Sequence, residues 1–170
     1  MKSAAKVTPV PSGTSLGTYQ DLLKYRILGD TPEDVIQCEP RWFVFTSANA
    51  FKTPSYAEVI ITNRDEFKVA WCIKAKEKLV RVSQSHGILK GGESAKLILY
   101  LCSCDDWPRD VSEYQGKRIK MVVENLKVPD CISPTNKNEA TRMSREIFHY
   151  TATNNPLIRM FTKVNIVIKQ

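Results

Sequence analysis

Histidine is scarce. His86 and His149 are the only two in 170 residues. A nucleophile–histidine pair needs its imidazole oriented by a third group, and neither residue has a partner at a recognisable spacing. His86, in "SQSHGILKGG", reads as a solvated turn residue before a strand, and His149 follows Phe148 in a polar segment near the end. Zinc fares no better: Cys102 and Cys104 form a lone C-x-C on a predicted strand with no further ligands nearby. A phosphate loop is also missing, because Gly91-Gly92 lacks the flanking glycines and lysine and reads as a β-turn. Asp105 and Asp106 are sequence neighbours whose side chains point apart. No catalytic residue, metal or cofactor is therefore expected.

Other absences bound the setting. Cys38, Cys72, Cys102, Cys104 and Cys131 are an odd set without disulfide spacing, as expected of thiols in a reducing compartment. No apolar run is long enough to cross a bilayer. The opening "MKSAAKVTPVPSGTS" has no apolar centre and is no secretory signal, so a cytoplasmic protein is expected. Nothing resembling a coiled coil or membrane anchor follows the final strand before Gln170.

Positive charge is present in excess. The chain carries +7, yet residues 1–34 sum to zero, with Lys2, Lys6, Lys24 and Arg26 against Asp21, Asp30, Glu33 and Asp34. The remaining segment is thus basic, which favours acidic partners without choosing among them. Nucleic acid is disfavoured, since no exposed aromatics interleave with the basic residues as base stacking would require.

Along the chain, residues 1–17 read as a flexible leader rich in Pro, Ser, Gly and Thr. A short amphipathic helix is predicted over 18–28, with Tyr19, Leu22, Leu23, Arg26 and Ile27 near one face, Thr18 at its start, Asp21 in its first turn and Gly29 at its end. From about residue 35 the hydrophobic period becomes two. "VIQCEPRWFVF" reads as an edge strand interrupted at Pro40. "AEVIITN" and "FKVAWCIK" read as an antiparallel hairpin across Asn63–Glu66. In the second of these, Phe67, Val69, Trp71 and Ile73 share one side, which predicts a core face with Trp71 at its centre.

"KLVRVS" and "GILK" are short strand pieces. "AKLILYLCS" puts Leu97, Leu99 and Leu101 on one face and Ile98, Tyr100 and Cys102 on the other, "KRIKMVVE" turns Ile119, Met121 and Val123 inward, and "TKVNIVIKQ" aligns Val164, Ile166 and Ile168. The polar stretch 125–146 reads as a loop, with a weak helical turn over 140–150. About seven short strands joined this way predict an all-β, immunoglobulin-like sandwich. Residues 1–34 form an extension with a short helix, and 35–170 form the domain.

Lys74, Lys76 and Lys78 recur at a spacing of two, and Arg81, Lys117, Arg118 and Lys120 can prolong the stripe. Such a face is either a solvated basic surface or a groove for an acidic segment, where exposed pairs add little affinity but speed association.

The ordered series "VIITNRDEFKVAWCIKAK", "VSQSHGILKGGESAKLILYL" and "SREIFHY" resembles the major sperm protein (MSP) domain family of nematodes. There a strand ending Ile-Thr-Asn leads into one closing Trp-x-Ile-Lys, followed by a Gly-Ile/Val-Leu turn, an aliphatic strand and an Arg-Glu-aromatic element. The match runs from Val35 to Ile168, and residues 1–34 have no counterpart. The resemblance implies a seven-stranded, PapD-like immunoglobulin sandwich without enzymatic activity. It implies cytoskeletal self-association or an accessory role, because the family's sperm proteins form dimers that assemble into filaments driving sperm crawling.

A second branch, the VAMP-associated proteins, binds acidic FFAT peptides while anchored to the endoplasmic reticulum. By resemblance to that branch, Lys74, Lys76, Arg118 and Lys120 are the candidate peptide-binding residues. Lys74 matches the lysine of a Lys-Thr-Thr stretch whose threonines are here Ala75 and Lys76. Arg118 stands where that branch has a lysine, and Lys120 where it has a methionine.

Overall fold

The computed structural model describes residues 6–10, 33–153 and 160–169; the helix predicted over 18–28 lies outside them. Among the described residues ten strands build two sheets: β1 (Lys6–Val10), β2 (Ile36–Glu39), β3 (Trp42–Thr46), β4 (Ser55–Asn63), β5 (Val69–Ala75), β6 (Val80–Val82), β7 (His86–Leu89), β8 (Ser94–Leu101), β9 (Arg118–Lys127) and β10 (Met160–Ile168). A large sheet has the order β1-β3-β10-β9-β5-β7, and a small one the order β2-β4-β8-β6. The expected all-β sandwich stands. Within the span read as leader, Lys6–Val10 pair antiparallel with β3 as an edge strand.

Alternation decides what lies between the sheets. Phe43 and Phe45, Val69, Trp71 and Ile73, Leu97, Leu99 and Leu101, Ile119, Met121 and Val123, and Val164, Ile166 and Ile168 form one buried cluster. Apart from Phe43 and Phe45, whose face was not assigned, these were read inward from period two. Phe67 departs from its row: it precedes the first residue of β5, is 44% exposed, and carries Lys127 Nζ 3.2 Å from its ring centre. Outside the strand its side chain is no longer held in the alternating direction.

Two connections differ from expectation. Pro40 does not sit within one edge strand. It separates β2, the edge of the small sheet, from β3, an interior strand of the large one, and its missing N–H ends the ladder where the chain changes sheets. Likewise 64–68 is not a hairpin loop, because β4 lies in the small sheet and β5 in the large one.

Asn63 holds that crossing. Fully buried, it donates from Nδ2 to the carbonyls of Phe67 (2.6 Å), Leu89 (3.3 Å) and Lys90 (3.1 Å), and its Oδ1 accepts from the Asp65 amide at 3.0 Å. The Gly91-Gly92 turn closes on the same point: Gly92 N–H donates to the Asn63 carbonyl at 2.9 Å. A methyl group at Gly91 would stand 2.5 Å from the Glu66 carbonyl oxygen.

After a helical turn, α1 (Val111–Tyr114), the main correction is α2, a helix over Lys137–Thr153 where a loop and a weak turn were expected. Asn136 caps it, its Oδ1 accepting from Glu139 N–H at 2.8 Å, while the Glu139 carboxylate returns to Thr135 N–H and Oγ1. Ala140, Ser144, Phe148 and Thr151 make its buried stripe. Ser144 Oγ donates to the Trp71 carbonyl at 2.8 Å, and Phe148 packs with Ala70, Cys72, Leu126 and Val128. The even-numbered side of β5, expected to be free, is therefore covered at Ala70 and Cys72.

Candidate interaction faces

The outer face of the large sheet collects the basic residues. In the β5–β9 ladder Lys74 stands opposite Val122 and Cys72 opposite Glu124. In the β9–β10 ladder Lys120 stands opposite Asn165, Val122 opposite Lys163, and Glu124 opposite Phe161. Since side chains alternate, Lys74, Arg118, Lys120, Glu124, Phe161 and Lys163 share this face. Lys76 does not join by alternation: β5 ends at Ala75, and Lys76 sits in the following turn, its backbone N–H 3.5 Å from the Lys120 carbonyl. Lys78 lies in the same turn, and Arg81 belongs to β6 of the small sheet. The predicted stripe is thus shorter along β5 and broader across β9 and β10.

Charge on this face is partly internal. Lys74 Nζ lies 2.7 Å from Glu124 Oε2, and the same oxygen accepts from Cys72 Sγ at 3.8 Å. Lys120 and Lys74 are exposed, and Lys163 and Arg118 are half-buried. Phe161, 46% exposed, puts one aromatic at the end of the band. It escaped the sequence pattern because its neighbourhood is made by register with β9, not by adjacency in sequence.

His86 is no solvated turn residue. It lies on β7, its Nδ1 2.9 Å from Ser85 Oγ, its ring edge-on to Phe148. Burial, and then the nearby charges of Arg145 and Lys74, hold its pKa below the ordinary 6.5. An imidazole so held stabilises the fold fully above the unfolded-state pKa, and that contribution is lost as pH falls below it towards the depressed value. Stability should therefore decline as pH falls through the ordinary histidine value of 6.5, and His86→Gln should flatten that part of the profile. A thermal melt series across that pH reads both.

Four of the five cysteines, Cys38, Cys72, Cys102 and Cys104, pack in or against the buried clusters. Cys38 and Cys72 are buried and Cys131 is exposed; burial, with Glu33 adding to it, pushes the Cys38 thiol up to about 12. Cys102 and Cys104 fall just beyond β8, half-buried and not on a strand as expected.

The outer face of the small sheet has a different character. Tyr56 stands opposite Tyr100, Glu58 opposite Ile98 and Ile60 opposite Lys96. The tyrosine rings are 6.1 Å apart, and Tyr56 and Ile60 are each 39% exposed. Lys96 and Glu58 approach to 3.7 Å, a weak pair at that exposure. The helix α2 packs on β7 and β5, both in the large sheet.

No protein-family model matches the chain, and no curated protein matches it in sequence. Solved structures do. The chain is similar to WR4, an MSP family member from Caenorhabditis elegans, at 16% identity and TM-score 0.53, over 79% of this chain and 97% of that one. It is also similar to the ASH/PapD-like domain 7 of human CEP192, at 11% identity and TM-score 0.51, over 95% and 97%. These likenesses give the fold: an MSP-like and PapD-like immunoglobulin sandwich.

Proposed function

We propose that this chain is a non-enzymatic protein-interaction domain that assembles with itself or with other MSP-type domains. Its role is that of a self-associating cytoskeletal protein of the cytoplasm, or an accessory to the filaments that move nematode sperm. The supporting observation is the outer face of the small sheet, where Tyr56, Ile60, Ile98 and Tyr100 lie side by side on neighbouring strands. Clustered apolar side chains left at a surface mark protein contacts, and a patch meeting its own copy across a two-fold axis needs no second surface. Likeness to an MSP family member agrees with this assignment.

Sedimentation velocity tests it. The chain is expected to sediment faster as concentration rises, and the pair Tyr56→Asp/Ile60→Asp to remain monomeric. A strict monomer with no affinity for MSP filaments counts against the reading.

A second reading rests on the basic band: an adaptor for acidic, FFAT-like peptides bound across Lys74, Lys120, Arg118 and Lys163, with Phe161 contacting an apolar peptide side chain. Lys76 borders this band from the turn. Exposed contacts of this type weaken with salt. Lys120→Glu should weaken an acidic peptide about three- to tenfold at low salt and less at high salt. Peptide affinity indifferent to both salt and Lys120→Glu removes this reading.

A further inference from the structure

The sandwich is open along one side. The turn at 90–93 sends β7 into the large sheet and β8 into the small one, and the two strands diverge around a cavity of about 450 Å³. Residues 133–137 and Ala140 of α2 line a third side, and Trp71 lines the inner end. That volume is of ordinary ligand size.

Both strand walls present main-chain edges that no described strand occupies. Ser83 N–H donates to the Ile98 carbonyl and Cys102 N–H to the Leu79 carbonyl, so the even-numbered residues of β8 turn their main chain towards β6. Since β6 stops at Val82, the same side of Ser94 and Lys96 opens on the cavity. Across from them, Ile73 N–H donates to the Ser85 carbonyl, so Gly87 bonds back to β5 while the main chain of Ile88 turns away from it. The His86 carbonyl, turned the same way, is already taken by Gln84 Nε2 at 2.8 Å and Thr141 Oγ1 at 3.2 Å.

Side-chain chemistry selects the occupant. Lys68, Lys90, Lys96 and Lys137 border the cavity, and Glu93 is the one carboxylate among its lining residues. Lys68 Nζ is spent on the carbonyls of Asp130 and Ile132, whereas Lys90, Lys96 and Lys137 are exposed at the rim. Inside, Leu89 and Trp71 are apolar and buried. The indole edge lies over Gly87, where a methyl would stand 2.8 Å from Nε1, and that N–H has no acceptor among the described residues.

We propose that an extended peptide segment alternating acidic and apolar residues binds here as an added strand, its main chain paired with Ser94 and Lys96 of β8. Alternation then puts its apolar side chains towards Trp71 and its acidic ones among the rim lysines. The site is separate from the basic band, whose Lys74 and Lys120 do not border the cavity, and it rests on neither reading above.

Nuclear magnetic resonance on the full chain tests it, with the capped peptide Ala-Glu-Val-Glu-Ala titrated to millimolar concentration. The amide signals of Ser94 and Lys96 are expected to shift and their hydrogen exchange to slow with occupancy. The Trp71 indole signal should move with them, while that of Trp107, whose Nε1 already donates to the Cys102 carbonyl, stays in place. Lys90→Glu/Lys137→Glu should weaken binding about three- to tenfold at low salt and less at high salt. Unmoved signals at Ser94 and Lys96 overturn the proposal. So do shifts centred on Lys74 and Lys120, which send the peptide to the basic band, and equal shifts with free glutamate, which make the cavity a site for small anions.

Discussion

Trp71→Ala lowers the unfolding free energy by about 3–5 kcal/mol, the usual range for removing a large buried aromatic. Several contacts make this site sensitive. The indole is 1% exposed at the centre of the inter-sheet cluster. It lies so close over β7 that a methyl at Gly87 would stand 2.5 Å from its Cζ2, so the glycine opposite Trp71 in the ladder is the space the ring occupies. Its carbonyl accepts from Ser144, tying α2 to the same residue.

Truncation therefore opens a cavity between β5, β7 and the small sheet that rigid strands cannot fill by collapsing. One term runs the other way: the indole N–H has no acceptor, so its loss costs nothing in hydrogen bonding, and Trp71→Phe should be milder than alanine. In urea the alanine variant should unfold at a much lower midpoint with little change in slope. An unchanged midpoint would mean that this face is not the core.

Asn63→Ala should cost about 2–3 kcal/mol although it removes only a small side chain. Most of the penalty is electrostatic. The Phe67 carbonyl loses its 2.6 Å donor, the Asp65 amide loses its acceptor, and both lie where the chain crosses between sheets. The Lys90 carbonyl keeps the Glu93 amide as a donor, which limits the loss. Asn63→Asp should be nearly as damaging, since it keeps the acceptor but deletes the donor and places a carboxylate against three carbonyls. Chemical denaturation of both variants decides this. If Asn63→Asp matches the unmodified protein, the Nδ2 bonds are not what holds the crossing.

That asparagine shows why some of the fold was legible and some was not. Period-two patterns name the inward residues of β8, β9 and β10 because each strand has one apolar side. They carry no information on which sheet a strand joins. The turn chemistry of Asn63–Glu66 suits a hairpin and a sheet-to-sheet crossing equally well, and only the three carbonyls around Nδ2 distinguish them. Helix α2 was under-read for another reason: close packing on β5 and β7 selects Ala140, Ser144 and Thr151, so the buried stripe is written largely in small and polar letters.

The faces followed the same logic. Lys74, Arg118 and Lys120 share a side, as strand alternation requires. Lys76 fell outside because β5 ends one residue earlier, an end that no local signal marks. Glu124, Lys163 and Phe161 entered through pairing between strands distant in sequence. Ile98 and Tyr100 were read as the second face of their strand, but their meeting with Tyr56 and Ile60 was not, since the two short apolar patterns become one patch only through the β4–β8 register.

The account rests on the outer face of the small sheet being a self-complementary contact. Mapping backbone amide chemical shifts across a concentration series measures this directly. Shifts that grow with concentration at Tyr56, Ile60, Ile98 and Tyr100, and leave α2 unmoved, are the predicted result. A spectrum constant over that series, or one changing only along α2, contradicts it.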